Sequence, residues 1–297
     1  MADDMFVVGY GGWAILHFEA ENSNYYDGPK EKAKSNYKDS YLSGTLVQVS
    51  GASISETLNI PSANSYYLPF DGTGEAKSPM RVAYGTLAYN GDISFDLTEG
   101  TASSIFTDSF YKRNALFSLQ FFDGQNTCTV RNCVWSSVNL SCSPGGIVKV
   151  SISFQSNNGY LSGLQISDSD LNSSIEYSDS SLLIPYWQCG KEHFLEFTLG
   201  FSRNLSPVYL NNDLLVPSYI RPGMIDVSVS TTTLEYVESW GNEFKIQVGK
   251  SHAVKLNGAV LKNTQYQMSS MSDTGSKTYE WTSIVDTVTN PVFSFEN

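Results

Sequence analysis

The sequence predicts an all-β protein, and three observations predict it. Helical periodicity is nearly absent, short runs alternate apolar with polar residues, and Gly, Asn, Ser and Pro clusters separate those runs. Ile93-Ser94-Phe95-Asp96-Leu97 alternates cleanly, which buries one face and wets the other. Leu116 to Phe121 leads into Asp123-Gly124, a hairpin-type turn in which glycine takes positive φ at little cost. Val148 to Phe154 shows the clearest alternation in the chain. Two segments read instead as short helices. Thr101 to Asn114 and Ser230 to Trp240 begin in Ser/Thr-rich sequence that can cap a helix, and Leu234, Val237 and Trp240 fall three apart.

The order strand, short helix, strand, turn, strand reads twice. Gly91 to Phe95 aligns with Gly223 to Val227, Phe117 to Gln120 with Phe244 to Gln247, and Thr129 to Asn132 with Lys255 to Gly258. Upstream, Ser65 to Leu68 resembles Pro207 to Leu210, and Phe6 to Tyr10 resembles Leu182 to Tyr186. The expected organisation is therefore two tandem β-sandwich or half-barrel domains, each with one short helix and one long loop. The first spans 1–157 with a polar insertion near 21–42, a polar connection spans 158–180, and the second domain spans 181–297. Strand content is expected within the connection from Tyr160 to Ile166.

The 297 residues can bury a sizeable core. No apolar run is long enough to span a bilayer as a helix. The start, Met1-Ala2-Asp3-Asp4-Met5, carries acid where a secretory leader carries base, so no leader is expected. Thirty acidic against eighteen basic residues give a net charge of −12, which excludes a phosphate-neutralising grip on nucleic acid.

Residues for chemistry are sparse. His17 and His193 fall in apolar, strand-like runs and His252 in a turn, none in the setting of a nucleophilic triad. Cys128, Cys133, Cys142 and Cys189 lack metal-ligand spacing and are expected to be thiols without disulfide or zinc. Phosphate-binding glycine loops are missing, so neither an enzyme nor a cofactor is expected. Two long aromatic-rich arms remain, Asn59 to Arg81 and Arg203 to Arg221. Their Tyr66, Tyr67, Leu68, Phe70, Tyr209, Leu214, Leu215 and Tyr219 are candidate contacts with another protein.

The block Gly91 to Phe154 resembles the tail tube proteins of long-tailed bacteriophages. The strand Ile93 to Thr98, the helix-like segment, the run Leu116 to Gly124, the stretch Cys133 to Gly146 and the closing strand Val148 to Phe154 carry the likeness. It covers most of residues 45–155 and, more faintly, 181–285. The resemblance implies a structural virion protein, assembled in the bacterial cytoplasm, that stacks as rings into a hollow tube conducting DNA. Six domains make such a ring, so a duplicated chain implies rings of three copies. Its partners would be itself and other tail proteins, with DNA passing unbound and no insertion into a membrane. The arms would then join successive rings, and Asp92, Asp96 and Asp226 are candidates to face the lumen. The other expectation is a carbohydrate- or receptor-binding β-sandwich of a tail tip or fibre.

Overall fold

The computed structural model describes residues 13–18, 45–59, 86–97, 105–111, 116–122, 127–142, 148–162, 196–209, 217–233, 244–247, 252–267, 276–283 and 293–296. The first half supplies β1 (Trp13–Phe18), β2 (Thr45–Asn59), β3 (Thr86–Asp96), helix α1 (Asp108–Tyr111), β4 (Phe117–Phe122), β5 (Thr127–Cys142) and β6 (Lys149–Ser162). The second supplies β7 (Glu196–Val208), β8 (Tyr219–Thr233), β9 (Phe244–Gln247), β10 (Ala253–Leu256), β11 (Ala259–Gln267), β12 (Ser276–Ser283) and β13 (Phe293–Glu296). The protein is all-β, and each strand pairing among the described residues is antiparallel.

Ten strands join one sheet in the order β11-β12-β8-β7-β5-β4-β1-β2-β3-β6, and β6 also pairs with β5. That extra pairing closes a six-strand circuit, β1-β2-β3-β6-β5-β4, as a small barrel. Its interior takes the apolar positions of the alternating runs: Ala14, Val49, Ile93, Phe95, Phe117, Leu119, Phe121, Ile152 and Phe154 are buried. Each large side chain so buried contributes roughly 1.5–3 kcal/mol over an exposed one, which fixes the register of every strand that carries one.

β5 is the branch point. Its first half pairs with β4 as far as Cys133, and its second half pairs with β7 from Ser137 onward. Along its other edge it follows β6 throughout, slipping register at Val130/Arg131 and at Trp135/Ser137. Beyond the branch, β7, β8, β12 and β11 form a wing on the barrel. The apolar face of the wing (Phe197, Leu199, Phe201, Val227, Val229, Tyr279 and Trp281) belongs to the same core as the barrel. The three-stranded sheet β13-β10-β9 contributes Val254, Leu256, Phe293 and Phe295 to that core. Phe293 lies 4.9 Å from Phe201, and Phe295 lies 6.0 Å from Phe106. A sheet packed on a sheet gives a sandwich-like arrangement, with one core shared by both halves.

The halves share a strand order. β2-β3-β6-β5 and β7-β8-β12-β11 have the same connectivity: a hairpin, then a second hairpin whose later strand pairs back onto the first. The aligned positions Asn132 and Gly258 both have positive φ, 52° and 62°. In the first half that residue lies within the continuous strand β5. In the second it lies in the turn between β10 and β11.

Several boundaries differ from expectation. Within Thr101 to Asn114 the described helix is α1, only four residues long, beside irregular backbone at Phe106 and Thr107. The helix expected from Ser230 begins as strand, because β8 runs to Thr233; residues 234–243 lie outside the described ones. β6 continues to Ser162, past the boundary expected at 157, with Tyr160 opposite Val130 and Leu161 opposite Thr129. The second arm is shorter than expected, since β7 extends to Val208 and β8 starts at Tyr219. The rest of the connection, the polar insertion and the first arm beyond Asn59 lie outside the described residues.

Candidate functional site

The outer face of the sheet is built of small polar side chains in register. One row crosses six strands as Ser53, Asp92, Ser153, Ser137, Ser202 and Asp226. A second passes through Gly51, Ser94, Ser151, Asn139, Gly200, Ser228 and Thr282. A third joins Asp96, Lys149, Ser141, Thr198, Ser230, Glu280 and Asn263. Neighbours within a row stand about 4.8 Å apart, so hydroxyls meet. Ser53 Oγ donates to Asp92 Oδ2 at 3.3 Å, Ser94 Oγ to Ser151 Oγ at 3.3 Å, and Asn263 Nδ2 to Glu280 Oε2 at 3.4 Å. Gly200 keeps the middle row flat: a Cβ there would stand 3.0 Å from both Asn139 Oδ1 and Ser228 Oγ.

All three aspartates singled out in the sequence therefore share one face, where Asp92, Asp96 and Asp226 are exposed. With Glu280 they outnumber Lys149, the single base in these rows. The second row continues from Thr282 to Val260 on β11, the one large apolar side chain in the three rows. Such a face binds water well, repels anions and gives an apolar ligand little to bury against.

Below this face, the branch in β5 is held by a buried cation. Arg203 is 4 % exposed and lies in β7. Its Nε donates to the carbonyl of Trp135 at 2.8 Å, and its guanidinium carbon sits 3.8 Å from the centroid of the Trp135 ring. The carbonyl falls between the last residue paired with β4 and the first paired with β7, so a side chain supplies the bond that neither strand provides. Trp135 in turn donates from Nε1 to the carbonyl of Phe110 at 3.0 Å, which ties α1 to the branch. Tyr111 packs 5.3 Å from Trp135 and 4.8 Å from Phe201. Burial pushes its hydroxyl well above the ordinary tyrosine value, and the Arg203 charge opposes that shift. Arg203, expected at the start of the second arm, is instead a buried residue of β7. The signal for burial was the parity of Phe197, Leu199, Phe201 and Arg203, which places the arginine inward.

Of the arm candidates, Tyr209 and Tyr219 are described, and both are half-buried. Tyr209 Oη donates to the carbonyl of Leu87 at 3.5 Å, and Tyr219 is the first residue of β8, opposite Val208. The base of the second arm thus rests on the barrel, where Leu205 and Ile220 also pack with Leu116 and Val134. Tyr66, Tyr67, Leu68, Phe70, Leu214 and Leu215 lie outside the described residues.

Cys133 is buried and its thiol donates to the Val130 carbonyl, while partial burial raises the Cys142 thiol pKa. Cys128 lies in β5 opposite Phe121 of β4, His17 lies in β1 opposite Ser118, and Cys189 and His193 are outside the described residues. Among the described residues no cluster of His, Cys, Asp and Glu could hold a metal ion, and no helix is long and apolar enough to cross a membrane. No protein-family model matches this chain, and no curated protein matches it.

Proposed function

We propose that the chain is the major tail tube subunit of a long-tailed bacteriophage, a non-enzymatic virion protein. It assembles in the bacterial cytoplasm and stacks as rings around a channel for DNA. The observation that carries this reading is the acidic, hydroxyl-lined outer face. A polymer of phosphates moves past such a wall without sticking, because like charge repels it and no base neutralises a run of phosphates. On this reading Asp92, Asp96 and Asp226 face the lumen, and the chain's partners are its own copies and other tail proteins.

The shared strand order of the two halves supports the reading of the chain as two tandem tube domains. Two such units per chain call for three copies in a ring of pseudo-sixfold symmetry. The described aromatic side chains do not form an exposed ring platform of the kind a sugar-binding surface uses. Tyr266 is the one aromatic among the exposed large hydrophobics.

The test is direct. Purified chain at rising concentration should yield hollow rods or rings of three copies by electron microscopy and native mass spectrometry; discrete monomers at all concentrations would remove the proposal. Tubes of Asp92→Arg with Asp226→Arg should retain added duplex DNA at low salt while wild-type tubes do not. Equal retention by both would remove the lumen assignment.

A further inference from the structure

The eight strands β2-β3-β6-β5-β7-β8-β12-β11 form a sheet segment whose two outer edges, β11 and β2 beyond Gln48, are unpaired among the described strands. β11 pairs with β12 along one edge, and no described strand pairs with the other. β2 pairs with β1 only from Thr45 to Gln48 and with β3 from Val49 to Asn59. Residues 49–59 thus have a second edge that no described strand occupies. The two edges share a second property. Residues 55–57 of β2 and 260–266 of β11 are exposed consecutively, on both faces of their strands. Val260, Leu261 and Tyr266 are among the largest exposed apolar side chains of the molecule. An open, two-sided strand edge is a template for another chain.

We infer that β11 of one copy pairs antiparallel with the open edge of β2 in the next copy, and that Lys262 against Glu56 selects this pairing. The inference rests on the self-assembly proposed above. Three independent features meet in it. Direction comes first: an even number of alternating antiparallel strands leaves β2 and β11 running oppositely, so a head-to-tail join continues the alternation. Length comes next, since the nine residues of β11 fit the eleven of the open β2 edge. Full pairing allows only registers that place Lys262 opposite Ile54, Ser55 or Glu56. Charge then chooses. Lys262 is the only charged residue of β11 and Glu56 the only one of β2, and both are exposed. The register with Ala259 opposite Asn59 sets them face to face.

Lys262 has a second role in the same contact. The β11–β12 register skips it, between Leu261 and Asn263, so it is the bulged residue of an edge strand. A lysine on a bulge discourages indiscriminate pairing. Two β11 strands would bring like charges onto adjoining strands, whereas β11 on β2 joins opposite ones. The contact is therefore heterologous, and such contacts close into rings or propagate as filaments.

The experiment uses the full chain in four forms: wild type, Lys262→Glu, Glu56→Lys and the double exchange. Both side chains are exposed, so thermal melts of the unassembled subunits should coincide. Each single variant should raise the concentration at half-assembly by about three- to tenfold at low salt, as expected for turning one cross-strand attraction into a repulsion. The double exchange should return it to near the wild-type value, and 1 M salt should erase the differences. Single variants that assemble like wild type, or a double exchange no better than either single, would overturn the inference. If wild type itself forms no assembly at any concentration, the self-assembly reading has failed instead.

Discussion

The two halves of the molecule have one strand order and opposite fates. In the first, the strands close into a barrel through the β1–β4 and β5–β6 pairings, leaving only the stretch of β2 beyond Gln48 with an edge that no described strand occupies. In the second, the same order stays open as a wing and needs a separate three-stranded sheet to cover its apolar face. The difference lies in one strand. β5 passes through Asn132 at positive φ and stays continuous for sixteen residues, so it can serve β4 at one end and β7 at the other. The aligned stretch of the second half turns at Asn257-Gly258 and divides, β10 going to the small sheet and β11 to the edge of the wing. A bend closes a sheet; a break leaves an edge.

Removing an indole from either half is the strongest way to test this contrast. Trp135 and Trp281 are both nearly inaccessible, yet only Trp135 sits at the branch that both halves share. Trp135→Ala should lose about 3–5 kcal/mol. Hydrogen exchange should show barrel and wing losing protection together. Trp281→Ala should expose β12 and β8 first while β3 and β6 remain protected. Equal behaviour of the two variants would mean that the branch does not couple the halves.

Glycine substitution sharpens the comparison at smaller scale. A methyl on Gly91 would overlap the buried ring of Phe154 and approach the Ser53 carbonyl of the neighbouring strand to 2.8 Å. At the aligned Gly223 it would meet the Asn204 carbonyl at 3.0 Å, near the turn end of the β7–β8 hairpin. Gly91→Ala should therefore cost about 1–3 kcal/mol in urea unfolding, and Gly223→Ala about 0.5 kcal/mol. A reversed order would show the wing to be the stiffer half.

The smallest effect concerns Tyr111, whose hydroxyl finds no hydrogen-bond partner among the described residues. Tyr111→Phe removes a buried unsatisfied group and should stabilise by about 1 kcal/mol near neutral pH. Its pH dependence has a definite sign. The folded value is raised, so as pH climbs past the ordinary tyrosine range the unfolded chain ionises first and folding loses stability. Tyr111→Phe should lose less stability over that range; an unchanged alkaline slope would assign it to other groups.

Much of the fold was legible in the sequence wherever burial was one-sided. Ile93 to Leu97 and Val148 to Phe154 alternate because one face meets the core, and they are β3 and β6. The helix signal of Thr101 to Asn114 was its Ser/Thr-rich start. Among the described residues there, Ile105, Phe106 and Phe110 are buried around irregular backbone at Phe106 and Thr107 and the four residues of α1. The polar face was legible residue by residue and not as a surface. That Asp92 and Asp226 end up in one row depends on the β5–β7 pairing, a contact between distant segments that no local pattern encodes. Glu56 and Lys262 were invisible for the same reason, since an edge exists only once the sheet order is known.

If copies join β11 to β2 as inferred above, the even strand count also constrains how such a chain can change over generations. A lineage that gained or lost one strand of the wing would present its edge in the wrong direction and force parallel neighbours at every seam. One that gained or lost a hairpin would keep every seam intact. Growth by pairs is the permitted step, and copying four strands at once is two such steps taken together.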